Sequence, residues 1–247
     1  MLPHASFWTV WLAQVLFCYS AILIAMRLFG KLGVMVFMSV AVIAANIQVS
    51  RLVLVPGFHS PITLGTAIMA STYFASDLLS EYYDKTVARR AVLVSIFAIV
   101  VMLILFKFTL AFPPLSENVA KHFGVHHAIV VQNAMKTVLP AVGALFFVSL
   151  LSYFITQHVD IALYVFIKKL TKGRWLWLRN NVSTWLAALL DNAIFNILAW
   201  RVFTSHPVPW KTVMLSYVFG TYGIRVLCSV LDTPFMYLGK YVHRTKV

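Results

Sequence analysis

Residues 91–112 read AVLVSIFAIVVMLILFKFTLAF, with Ala88-Arg89-Arg90 in front and Pro113-Pro114 behind. A membrane-spanning helix needs about 20 consecutive, predominantly apolar residues. This stretch supplies them with a single charge, Lys107, and the paired prolines break the helix as it emerges. Lipid, not water, is the solvent that such a segment implies. Six further stretches meet the same length criterion, at 7–26, 34–55, 62–80, 137–166, 182–203 and 212–238. The one at 137–166 is longer than a bilayer requires and is expected to tilt or to project into the cytoplasm. No Gly/Ser linker, low-complexity tract or internal repeat divides the chain, so residues 1–247 read as one integral membrane domain. The first stretch follows Met-Leu-Pro-His without a basic run and without a small-residue cleavage site behind it. It reads as a first spanning helix rather than a signal peptide.

Composition agrees. The chain is 61% hydrophobic and 11% charged, where a soluble domain carries roughly 25% charged residues. Twenty basic residues against seven acidic ones give a net charge of +13, which in a soluble protein would suggest nucleic acid. The distribution argues otherwise. With the N-terminus outside, the inner connections hold Arg27 and Lys31, then Lys85, Arg89 and Arg90, then Lys168, Lys169, Lys172, Arg174 and Arg179. The inner C-terminus adds Lys240, Arg244 and Lys246. Outer connections and helix ends keep only Lys107, Lys121, Lys136, Arg201 and Lys211, and the last two, Arg51 and Arg225, fall within helices. This asymmetry predicts an N-out/C-in topology and leaves no charge excess for a nucleic-acid partner. Pro56-Gly57 and Pro61 are expected to form an outer turn. The alternation Arg174-Trp175-Leu176-Trp177-Leu178-Arg179 suits a cytoplasmic headgroup interface, with Ser183 capping the helix after it.

Ionisable residues at membrane depth are costly, roughly 2.5–3.5 kcal/mol or more each at the bilayer centre, and so mark function or fixed pairing. Asp191 and Arg225 lie near the middles of two consecutive antiparallel segments. Either they form a structural ion pair or they face a polar cavity that binds a solute. Asn192 and Asn196 lie one turn apart, and Tyr222, Arg225, Ser229 and Asp232 follow one helical face. Asn46 and Gln48 add amides in the second segment. Nearer the cytoplasm, Asp77, Glu81 and Asp84 share a face ahead of Arg89 and Arg90. An inner salt-bridge cluster or gate is expected there, with Asp160 at similar depth. Asp77 belongs either to that gate or to the pocket.

The cysteines Cys18 and Cys228 sit in apolar runs and imply no disulfide. His122, His126 and His127 fall in an outer connection, where an exposed polar loop explains them better than zinc. No metal site and no cofactor are expected.

Several spaced motifs coincide. They are Asn46; Thr63-Leu64-Gly65; Phe74-x-x-Asp77-Leu-Leu-x-Glu81; Ala88-Arg89-Arg90; and Gln157-x-x-Asp160. Arg174-Trp175-Leu176-Trp177-Leu178-Arg179-Asn180-Asn181-x-Ser183-Thr184 follows, then Asp191 with Phe195, Tyr222-x-x-Arg225 and Thr233-Pro234-x-x-Tyr237. In this order, from about residue 40 to 240, the series resembles the queuosine precursor transporter family, also called the vitamin uptake transporter family. The resemblance implies an all-α membrane protein with a six-helix core similar to the substrate-binding components of energy-coupling-factor transporters. The segment at 7–26 would then be an extra N-terminal helix. It implies uptake of queuine or other 7-deazaguanine bases through a bacterial inner membrane, for tRNA modification. The expected partners are that small molecule and the lipid bilayer, with a homo-oligomer possible.

The chemistry suits such a base. A carboxylate accepts a ring N–H and an exocyclic amine side by side, the role expected of Asp191 with Asp77 second. Amides of Asn46, Asn192 and Asn196 address the remaining groups. Arg225 either bonds the base carbonyl or keeps Asp191 ionised. Two other readings stay open. One is a vitamin-binding component that needs an ATPase module, with Ala41-x-x-x-Ala45 packing on a partner helix. The other is a membrane hydrolase that uses Asp77 and Asp160 as acid and base.

Overall fold

The computed structural model describes residues 6–49, 51–53, 55–56, 62–204 and 206–243. Gly57 and Pro61 of the expected turn, and the C-terminal Arg244 and Lys246, lie outside the described residues.

The chain folds into a helical bundle: α1 (Phe7–Phe29), α2 (Lys31–Gln48), α3 (Thr66–Tyr82), α4 (Lys85–Ala111), α5 (Glu117–His122) and α6 (His126–Leu170). Then come α7 (Leu176–Ile197), continued by a π-helical turn (Leu198–Val202), and α8 (Trp210–Thr212). A second π-helical stretch (Val213–Phe219) runs into α9 (Gly220–Val242). Among the described residues six helices are long and apolar enough to cross a membrane. Their outer faces carry a lipid-like surface in which Phe17, Leu28, Phe97, Leu105 and Phe166 stand exposed.

The third expected span is the exception. α3 has only 17 residues, about 26 Å of helix, and it packs against α1, α2, α4, α6, α7 and α9. Fourteen of its residues are buried, among them Ser71, Thr72, Ser76, Asp77 and Ser80. Protein replaces lipid around this helix, so its polar side chains find partners that hydrocarbon could not offer.

Three boundaries differ from expectation. The second segment ends at Gln48, and Leu52 and Val53 pair antiparallel with Thr63 and Ile62. An apolar run does not distinguish a helix from a short hairpin strand, and Arg51 consequently stands exposed past the helix end. Most of the extra length of α6 (His126–Leu170) beyond the expected 137–166 lies at its His126 end, away from the basic connections. The helix entered at 182 begins instead at Leu176, which leaves Ser183 inside it, bonded to the Asn180 carbonyl.

Close contacts gather the basic connections at one end. Gly30, at φ 60, allows the α1–α2 reversal that a β-carbon would strain. Gly239 of α9 lies against α3, where an added Cβ would come within 2.6 Å of the Tyr82 ring. Tyr82 Oη donates to the Met236 carbonyl (2.8 Å), and the Tyr83 and His243 rings meet edge to face. Lys168 and Arg179 reach Glu81 at this same end.

Candidate functional site

In the opposite half of the bundle α2, α3, α6, α7 and the start of α9 part around a partly enclosed cavity of about 110 Å³. That is several times the ~10–15 Å³ needed by one water. Asp191 projects from α7 and Arg225 from α9, and Arg225 Nη1 pairs with Asp191 Oδ2. The pair is not sealed into a dry bundle, because both side chains line the cavity. Ser152 of α6 donates to Asp191 Oδ1, and Thr156 reaches the same oxygen at 3.4 Å. Arg225 Nε is buried without a partner among the described residues.

The π-helical turns determine what else faces the cavity. A π-turn inserts an extra residue and breaks the i→i−4 ladder, which frees carbonyls and shifts the phase of the helix. Asn192 Nδ2 takes up the Val218 carbonyl (3.0 Å) and the Thr221 hydroxyl (2.9 Å). Asn196 Nδ2 bonds the Asn192 carbonyl at 2.8 Å and the Tyr217 carbonyl at 3.4 Å. Asn46 Nδ2 likewise bonds its own helix, at the Val42 carbonyl (2.9 Å). With their N–H groups on backbone carbonyls, these amides offer acceptor oxygens to a ligand. Trp200 and Tyr217, with ring centroids 5.7 Å apart, form an aromatic wall beside Phe195.

Of the expected binding residues, Asp191, Arg225, Asn46, Asn192 and Asn196 thus meet in one cavity. Tyr222 does not line it; Thr221 and Tyr217, four and eight residues before Arg225 and so on its face, occupy that place. Asp77 does not line it either. It lies wholly buried beside Asp160, with its Oδ2 3.4 Å from the Thr184 hydroxyl.

The inner cluster also differs from the expected one. Glu81 pairs with Arg179 (Nη2–Oε1 2.8 Å, Nε–Oε2 3.1 Å) and Lys168 (3.1 Å), and accepts from Tyr164 Oη (2.9 Å). Arg89 and Arg90 are exposed and enter no ion pair among the described residues. They point away because α4 presents Ala88, Ala91 and Val92 to its neighbours instead. Asp84 caps α4, accepting from Thr86 N at 2.7 Å. Hydrogen bonds from Thr86, hydroxyl first and backbone N–H second, hold its carboxyl below the usual range. Asp160 meets Ser76 and Asp77, not an arginine. Arg179 was legible only as one more cytoplasmic cation, yet it is 3% exposed. Lys172, Gly173 and Trp175 adopt left-handed backbone, and the carbonyls of Gly173 and Arg174 accept from its Nη1.

A lipid-facing bundle with a polar, aromatic-walled cavity in one half defines a membrane protein that takes up a small solute. A family profile described as "Putative vitamin uptake transporter" matches residues 63–239. The chain belongs to this family, and it is a multi-pass membrane transporter. Over 231 residues it is 28% identical to a "Probable queuosine precursor transporter" of Bacillus subtilis (strain 168), covering 93% of each chain. No solved structure matches it significantly. Family membership sets aside the hydrolase reading of Asp77 and Asp160.

Proposed function

We propose that the chain imports queuosine precursors, queuine or related 7-deazaguanine bases, through a bacterial plasma membrane, and that they bind at the Asp191–Arg225 cavity. The observation that carries this reading is room beside a buried ion pair, where a purely structural pair would be packed over. A carboxylate has about four acceptor positions. Asp191 gives one to Arg225 and one to Ser152, and the long Thr156 contact is the one that a ligand displaces most readily. A guanine-like edge then donates its ring N–H and amine to Asp191. Arg225 supplies a charged donor for the base carbonyl, the Asn46, Asn192 and Asn196 oxygens accept remaining N–H groups, and Trp200 and Tyr217 flank the flat ring. The name of the Bacillus relative supports the substrate class.

The topology that fits is N-out/C-in, with the basic ends in the cytoplasm. The cavity then belongs to the outer half, and the Glu81–Arg179–Lys168 clasp closes the inner half. The test is complementation in a strain that can neither make nor import deazaguanines and has no energy-coupling-factor module. Supplied bases should restore queuosine in tRNA, and Asp191→Asn should abolish this while the protein remains in the membrane. No queuosine from any base, with the protein correctly inserted, refutes the reading. Restoration only on adding an ATPase module would make the chain a substrate-binding component.

A further inference from the structure

Between the cavity and the basic end lie three carboxyls from three helices: Asp77 of α3, Asp160 of α6 and Asp232 of α9. They are 0%, 0% and 1% exposed. Their polar contacts are neutral: Thr184 Oγ1 to Asp77 at 3.4 Å, Ser76 Oγ to Asp160 at 3.5 Å with Ser183 beside it, and Asn180 Nδ2 to Asp232 at 2.6 Å. Asp77 and Asp160 lie carboxyl to carboxyl within hydrogen-bonding reach, and neither Oδ1 has a donor among the other described residues. The other titratable groups facing them carry no positive charge: Tyr73 and Glu81 from α3, Tyr164 from α6, Tyr19 from α1 and Cys228 from α9. Both nearby cations are engaged elsewhere, Arg179 with Glu81 and Arg225 with Asp191. Buried carboxylates without a cation are too costly to persist together as anions.

A separate observation identifies what completes the cluster. Asn180 and Gln157 are both 0% exposed, and each has an amide oxygen without a partner among the described residues. Asn180 is aimed at the cluster by its bond to Asp232. Gln157 lies one turn before Asp160 and bonds Thr72. Orphaned acceptors among acids call for hydrogen, not for further anions. No group of His, Cys, Asp and Glu among the described residues converges as a metal site. The cluster also adjoins the cavity through α3 and α6. Tyr73 Oη shares a hydrogen bond with Thr156 (3.0 Å), whose hydroxyl lies 3.4 Å from Asp191, and Ser76, one turn after Tyr73, lies 3.5 Å from Asp160.

We propose that Asp77, Asp160 and Asp232 form a proton-binding site that couples solute import to proton entry. A proton from water in the cavity forms an O–H bond on a cluster carboxyl. That bond breaks to release the proton to water at the basic end as the solute leaves. Intramembrane acids serve as such relays in pumps and transporters. The inference rests on the transporter reading, with the Asp191 cavity as the solute site.

The test uses purified protein in liposomes with a pH-sensitive dye inside, with tritiated queuine and tritiated 7-aminomethyl-7-deazaguanine as probes. Counterflow at equal pH establishes transport by itself, and its absence for both bases refutes the transporter reading and this inference with it. Where counterflow occurs, acid outside should raise net uptake several-fold, and adding the base should acidify the lumen. Asp160→Asn and Asp232→Asn should keep counterflow and lose both responses. Uptake indifferent to the pH gradient, or responsive only to sodium, overturns the proposal, as do variants that keep full acidification. Should either variant fail to fold, judged by size-exclusion, the wild-type acidification decides.

Discussion

The Asp191–Arg225 cavity and the Asp77–Asp160–Asp232 cluster lie along the same helix. Asn180 and Asp191 of α7 are separated by about 16 Å, yet the two regions treat charge in opposite ways. In the cavity a carboxylate faces a guanidinium and has space beside it. In the cluster three carboxyls face hydroxyls and amides, with no cation among their described contacts. Pairing fixes a charge, so the cavity can present a constant donor and acceptor pattern to a solute. Acids without counterions keep their charge adjustable. One bundle can thereby hold a recognition site and a site that changes state, because the partners differ, not the acids.

The largest expected effect comes from breaking the pair. Asp191→Ala leaves Arg225 buried without its counterion, a loss of roughly 3–5 kcal/mol, and should abolish base uptake while lowering the melting temperature in detergent. The double variant Asp191→Ala with Arg225→Met should regain stability and still not transport. If the double variant transports, the cavity is not the binding site. Next comes the inner clasp. Glu81→Gln removes the charge from the bonds to Arg179 and Lys168, worth about 1.5–3 kcal/mol. It should lower the melting temperature but leave base affinity, measured by calorimetry, within about twofold. A large loss of affinity would merge the two regions into one. Trp200→Ala should then weaken binding roughly three- to tenfold, in keeping with ~0.5–1.5 kcal/mol for an aromatic contact, without touching proton movement. Asp84→Ala is expected to do least. The folded state holds this carboxyl below its usual range, so its stabilisation is present above the unfolded pKa and fades as pH falls through the folded one. The melting-temperature difference from wild type should therefore shrink on acidification.

Much of this molecule was legible from hydropathy and cost. Residues 91–112 announced a lipid-facing helix, and α4 includes nearly all of them. Asp191 and Arg225 stood out because charge at membrane depth needs a reason, and they met. The aromatic wall did not stand out. Tyr217 and Thr221 share the Arg225 face at i−8 and i−4, whereas the Tyr222-x-x-Arg225 spacing singles out Tyr222 at i−3. Arg179 looked like an interfacial cation because its partner, Glu81, is 98 residues away in sequence. Serines and threonines of α3 weakened its apolar signal for the reason that explains its burial: protein surrounds it on every side.

The 45-residue α6 helix carries Ser152 and Thr156 at the cavity, Asp160 in the cluster, and Tyr164 and Lys168 at the clasp. Such a rod works as a lever. Lys168 lies about 24 Å from Ser152 along the axis, so a rocking of about 5° pivoting at the cavity swings Lys168 sideways by roughly 2 Å. A hydrogen bond tolerates only a few tenths of that. Closing the helices around the Ser152 end would thus be enough to unlatch the far end.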